Sequence, residues 1–337
     1  MKQLSDKQVR RLIEVIDEPD FSNSHYRIIR EIARGGMGTV YLAEDTQLTR
    51  EVAIKVLNTA DQSAEMRQRM RREAEIIARL EHPGIIPVHD VGSLPDGRVF
   101  YVMKYVRGKR LDEHIVEAVT LNERLRLFRT ACEAVAFAHA HDVVHRDLKP
   151  ENIMVGPFGE VLVMDWGIAK ILGDNEPMGS GGEAARRRGV TEHGTILGTP
   201  SYMSPEQALG DLEHVDRTSD VYALGSILYY LLANVAPPVI DDDGRQGGLQ
   251  LSANRNTPKR LQAICAQAMA WHPADRYADA QSLGADIERY LDGKPVEAYR
   301  ENVLELAVRW LDRHRFIVLL VLAYLLMRVI LILATNR

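Results

Sequence analysis

The apolar residues change their rhythm part-way along the chain, and that change restricts the folds open to it. Over 26–57 they fall in short β-branched runs: Tyr26-Arg-Ile-Ile-Arg-Glu-Ile, a glycine cluster, Thr39-Val-Tyr-Leu-Ala, then Val52-Ala-Ile-Lys-Val-Leu. Such runs between turn residues read as antiparallel strands. A charged helix is expected over 64–80 and a further strand over 99–106. Beyond that the spacing is helical, over 121–141, 219–232, 258–271 and 280–291. A β-rich first part followed by an α-rich second part predicts an α+β architecture in two lobes.

The flanks read differently. Leu4, Val9, Leu12, Ile13 and Ile16 are spaced as one face of a short amphipathic helix within an extension over 1–25. Residues 173–194 hold Gly-Ser-Gly-Gly and Arg186-Arg187-Arg188, residues 241–256 are rich in Asp, Gly and Asn, and both read as loops. The chain has 337 residues, 46% apolar and 26% charged, which is ordinary for a folded protein. A net charge of −5 gives no basic domain, so no nucleic-acid partner is expected. The two cysteines, Cys132 and Cys265, lie in apolar helical stretches and read as reduced core thiols.

Five segments carry chemistry. Ala33-Arg-Gly35-Gly36-Met-Gly38-Thr39-Val40 is a strand–turn–strand whose glycines let backbone N–H groups approach phosphate oxygens. Val52-Ala53-Ile54-Lys55 ends a buried strand on a lysine, which needs an anion. Glu73 shares a helical face with Ile76, Ile77 and Leu80, so it points inward, whereas Glu75 lies off that stripe. His145-Arg-Asp147-Leu-Lys149-Pro-Glu-Asn152 offers a base and a metal-binding amide on one loop, with Lys149 placed to steady a transferring phosphoryl group. Val163-Met-Asp165-Trp166-Gly ends a strand on a carboxylate suited to Mg²⁺. His139, His141 and His145 are close in sequence, but no second ligand cluster has zinc-like spacing.

The order and spacing of these segments resemble the bacterial eukaryotic-type (Hanks-type) serine/threonine protein kinase family, over about 26–291. The resemblance implies a kinase domain over 26–292. It implies ATP at Ile32, Gly35, Gly36, Gly38, Val40, Ala53, Lys55, Met103, Tyr105 and Val106. Met103 would be the gatekeeper, and Lys104 to Val106 the adenine-binding hinge. Lys55 would bind the α- and β-phosphates and pair with Glu73. Asp147 would take or orient the hydroxyl proton, while Asn152 and Asp165 would hold Mg²⁺, with Mn²⁺ as a substitute. Glu206 in Ser204-Pro-Glu206 would pair with Arg276, and Asp220 would brace the catalytic loop. Lys149 and Thr199 are similar to Ser/Thr-directed members. Arg146 implies control by a phosphorylated activation loop, with Thr191 and Thr195 as candidates and a homodimer for trans-autophosphorylation. Ala33 and Trp166 depart from the family pattern, at the first glycine of the phosphate loop and the plug of the metal motif.

Phe316 to Ala334 forms an apolar run of the length needed to cross a bilayer. Arg328 within it costs about 2.5–3.5 kcal/mol, which the flanking Leu, Ile and Val residues offset at about 0.3–0.6 kcal/mol each. Arg300, Arg309, Arg313 and Arg315 precede the run and Arg337 follows it. The expectation is a single-pass inner or plasma membrane protein, with a juxtamembrane segment over 293–315, a transmembrane helix over 316–334 and the kinase domain in the cytoplasm. The function expected is Mg-ATP-dependent phosphorylation of Ser/Thr hydroxyls of proteins. The alternative is a membrane-tethered, ATP-binding pseudokinase scaffold.

Overall fold

The computed structural model describes residues 19–35, 38–58, 64–117, 119–166, 170–171, 200–211, 213–239, 257–302, 305 and 314–335. The expected helix over 4–16 and the expected loops at 173–194 and 241–256 lie outside these residues, as do Gly36, Thr191, Thr195 and Thr199.

Five strands form one antiparallel sheet: β1 (Tyr26–Arg34), β2 (Gly38–Asp45), β3 (Arg50–Leu57), β4 (Val88–Ser93) and β5 (Val99–Lys104), in the order β1-β2-β3-β5-β4. Side chains alternate between its faces. Val52, Ile54, Val56, Phe100 and Val102 pack on one side with Tyr41, Ala43 and Phe21. On the other side Leu57, Val99 and Tyr101 pack against Met70 and Ala74 of helix α1 (Ala64–Arg79). That second face is the one that carries Lys55.

The helical lobe is built on α2 (Leu121–Ala140), α3 (Arg217–Ala233), α4 (Lys259–Ala268) and α5 (Ala280–Leu291). Helix α3 is buried almost all round and forms the centre of the largest apolar cluster. It begins two residues before the expected start at 219, and the Asp216 side chain caps it, accepting from Thr218 N at 2.7 Å. At Gly225 a Cβ would lie 2.8 Å from Ala268 Cβ, so glycine is what lets α4 pack this close. Helix α4 is shorter than the apolar pattern suggests, ending at Ala268 with Met269 as its cap. The strand expected to reach Val106 stops at Lys104. Cys132 and Cys265 are free and buried, as expected.

A buried carboxylate fixes where the chain leaves this lobe. Asp286 of α5 accepts from Tyr277 Oη (2.8 Å) and from the backbone N–H groups of Glu297 (2.7 Å) and Ala298 (3.0 Å). The next described helix, α6 (Arg315–Thr335), exposes Phe316, Leu319, Leu320, Leu325, Leu326 and Leu331. Among the described residues no helix is long and apolar enough to cross a membrane. The segment expected to span is therefore matched as a helix only.

Candidate active site

Strand pairing places the first half of the site. Val40 lies opposite Lys55, Lys55 opposite Tyr101, and Ala53 opposite Met103, so all five share the α1 face of the sheet. Helix α1 directs Glu73 at the same face, where it is buried, while Glu75 is exposed. Lys55 Nζ donates to Glu73 Oε1 at 3.0 Å and to Asp165 Oδ1 at 2.9 Å. Tyr101 Oη donates to the same Glu73 oxygen at 2.8 Å. Burial works against the Lys55 ammonium, but the oxygens of Tyr101, Glu73 and Asp165 outweigh it and hold its pKa well above the usual value. Burial likewise works against the Asp165 carboxylate, and Lys55 overcomes it, so Asp165 titrates below its ordinary range.

The second half is the loop from His145 to Asn152, held from below. Asp220, fully buried on α3, accepts from the backbone N–H of His145 (2.8 Å) and of Arg146 (2.9 Å), and its Oδ2 lies 2.9 Å from His139 Nε2. Burial alone would raise its pKa; His139, His145 and the Arg146 amide hold it below the ordinary value. Arg146 adopts φ +70°, a left-handed conformation that its neighbours must hold in place. Asp147 emerges from this brace. Lys149 Nζ donates to Asp147 Oδ2 at 2.8 Å, and Asn152 Nδ2 donates to the Asp147 carbonyl at 2.7 Å and to Oδ2 at 3.3 Å.

Two contacts join the halves. His145 Nε2 donates to the Met164 carbonyl at 2.9 Å, consistent with Nδ1 accepting from Asp147 N at 3.2 Å. Met164 N donates to the Asn152 carbonyl at 2.8 Å. Asp165 follows at φ +61°, and buried Trp166 packs tilted against the His145 ring, 4.6 Å between centres. Trp166 thus supplies the large apolar plug that its position requires.

The glycine turn is closed at its base. Gly35 N donates to Gly38 O at 2.9 Å, and Asn58 Nδ2 donates to Gly35 O at 3.1 Å. A Cβ at Gly38 would sit 2.5 Å from the Val56 carbonyl, so only glycine fits. Ile32 lies at an irregularity of the β1–β2 pairing and is exposed. Tyr105 and Val106 follow β5, with Val106 packed on Ile86 and Leu162.

Below the site, Arg276 clasps Glu206 through Nη1–Oε1 (2.8 Å) and Nη2–Oε2 (2.9 Å), and Ser219 Oγ donates to Oε1 at 2.6 Å. Gln207 Nε2 donates to the Arg146 carbonyl at 2.8 Å, tying this segment to the loop that carries Asp147.

This geometry can be set beside known proteins. The family described as protein kinase domain matches residues 26–284. The chain belongs to the protein kinase family. The curated relatives it matches are named serine/threonine-protein kinases. It is 38% identical over 302 residues to serine/threonine-protein kinase PknD of Chlamydia trachomatis, covering 80% of this chain and 32% of that protein. PknD of Protochlamydia amoebophila is 34% identical over 299 residues, covering 80% of this chain and 30% of that protein. The chain thus spans about a third of the length of these relatives. Among solved structures, the Mycobacterium tuberculosis PknI kinase domain is similar at a TM-score of 0.60 and 28% identity, covering 79% of this chain and 96% of that one.

In this kinase the histidines serve the scaffold: His139 faces Asp220 and His145 bridges the two halves. Among the described residues no group of three or more His, Cys, Asp or Glu side chains could hold a metal. Tyr101, Asn58 and Gln207 join the site with no motif in the sequence to mark them. Tyr101 had one signal: a polar tip within an apolar strand, at the period that faces the lysine.

Proposed function

We propose that the chain is an active Mg-ATP-dependent kinase that phosphorylates Ser or Thr hydroxyls of proteins, its own activation loop included. The observation that carries this reading is the joined pair of constellations. Lys55, Glu73 and Asp165 form one, Asp147, Lys149 and Asn152 the other, and no member is missing. A scaffold that signals by shape has no need of the second set.

The residues fit a hard cation. Both amide hydrogen bonds of Asn152 are made through Nδ2, which leaves its amide oxygen for other use, and Asp165 keeps a half-exposed carboxylate beside it. Mg²⁺ held there would neutralise charge on the nucleotide phosphates. Lys55 would bind the α- and β-phosphate oxygens. Asp147 would accept the proton of the substrate hydroxyl as its oxygen bonds to the γ-phosphorus and the bond to the β-phosphate oxygen breaks, releasing ADP. Lys149, within reach of Asp147, would steady the charge on the transferring group.

The test is incubation of the full chain with labelled ATP and Mg²⁺ in the presence of a basic protein. Label on the basic protein and on the chain itself is expected from the wild type and from neither in Lys55→Met. ATP binding without any label would overturn the reading in favour of the scaffold.

The proposal includes attachment to a membrane through α6, with the kinase on the cytoplasmic side. Its support is the row of exposed apolar side chains and the arginines that precede it. Expressed in bacteria, the full chain should sediment with membranes, and deletion of 316–337 should move it to the supernatant. A full chain that stays in the supernatant refutes the attachment.

A further inference from the structure

The phenol of Tyr101 has no part in the reading above, yet it touches the pair on which nucleotide binding depends. Tyr101 stands on β5, an internal strand of the sheet, directly across from Lys55. Its ring is buried with Leu57, Val99, Met70 and Ala74, and the last two belong to α1. Its hydroxyl reaches past them to Glu73, one residue before Ala74, at 2.8 Å. Lys55 Nζ lies over the ring, 5.6 Å from its centre. Burial, with Glu73 beside it, pushes the phenol pKa far up, so the group remains a proton donor.

We propose that Tyr101 is a positioning residue for phosphoryl transfer, holding Glu73 of α1 against the sheet so that Lys55 is already aimed when nucleotide arrives. Glu73 Oε1 has two donors, and one of them, Lys55, is shared with Asp165 at 2.9 Å. A lysine that turns toward phosphate loosens its hold on Glu73. The phenol does not turn, because its ring is packed on a strand and it serves no other acceptor among the described residues. The sheet therefore keeps hold of α1 by a bond that bound nucleotide does not compete for. A hydrogen bond to a charged group is stronger than one between neutral groups, so its loss should register in nucleotide binding.

The experiment is a double-mutant cycle in the full chain, read as the Kd of a fluorescent ATP analogue so that impaired variants need not turn over. Tyr101→Phe keeps the ring and removes only the oxygen. It should weaken binding about tenfold and lower kcat/KM for ATP by a similar factor, with a melting temperature within a few degrees of wild type. In a Glu73→Met background, which leaves the phenol no acceptor there, the same change should weaken binding less than twofold. Wild-type affinity in Tyr101→Phe, an equal loss in both backgrounds, or a variant unfolded at assay temperature would each overturn the proposal. The proposal rests on the ATP-binding reading, and failure of the wild type to bind the analogue would count against that reading instead.

Discussion

Asp147→Asn is expected to lower phosphoryl transfer to a protein substrate by about 10²–10⁴-fold, the usual contribution of a positioned general base. Binding of ATP should change little, because the groups proposed to hold it lie on Lys55, the glycine turn and β5. The fold should also survive. Asn152 Nδ2 bonds mainly to the Asp147 carbonyl, which the substitution keeps, and Asp220 holds the loop through the backbone of residues 145 and 146. Lys149 loses its charged partner and is left with an amide oxygen. Single-turnover transfer and equilibrium ATP binding separate the two effects. A variant that transfers at the wild-type rate would remove Asp147 from the role of base.

Arg276→Met should have the largest effect on stability. The Arg276 side chain is fully buried, with its two terminal nitrogens on the two oxygens of Glu206. Removing one partner of a buried pair strands the other, at a cost of about 3–5 kcal/mol. For a chain of this size each kcal/mol lowers the melting temperature by roughly 1–2 °C. The deficit should depend on pH. Burial alone would raise the Glu206 pKa; Arg276 and Ser219 reverse this and hold it below the ordinary glutamate value, about 4.3. A lowered pKa means stability that is present above the ordinary value and lost as pH falls through the folded one. In the variant, burial no longer meets an opposing cation, so acid relieves a charge that the wild type keeps. Denaturant unfolding should therefore show the gap between variant and wild type closing from pH 7 toward pH 4. A gap of constant size would mean that Arg276 acts by packing rather than by charge.

Much of this was legible because the relevant residues obey local rules. The alternation Val52-Ala53-Ile54-Lys55 states that Lys55 faces away from Val52 and Ile54, and the structure packs those two on the opposite side of the sheet. Glu73 was placed by its spacing from Ile76, Ile77 and Leu80. The pairing of Glu206 with Arg276, 70 residues apart, and of Asp220 with the catalytic loop came from family resemblance and not from any local signal. Tyr101 and Gln207 escaped because their partners lie 28 and 61 residues away. A tyrosine in a strand is ordinary by propensity. Only the register that sets it across from Lys55 gives its hydroxyl a task. Helix α4 ends at Ala268, and the carbonyls of Ala270 and Trp271 beyond it accept from Arg276, a partner that local spacing does not reveal.

The Asp286 clasp has a mechanical meaning. Its two oxygens grip the main chain at Glu297 and Ala298 and the hydroxyl of Tyr277, whose neighbour Arg276 grips Glu206. Traction on residues beyond Ala298 would thus be carried through a hinge pin of four side chains into the segment that holds Glu206 and Gln207. The sheet bearing Lys55 stands outside that line of load.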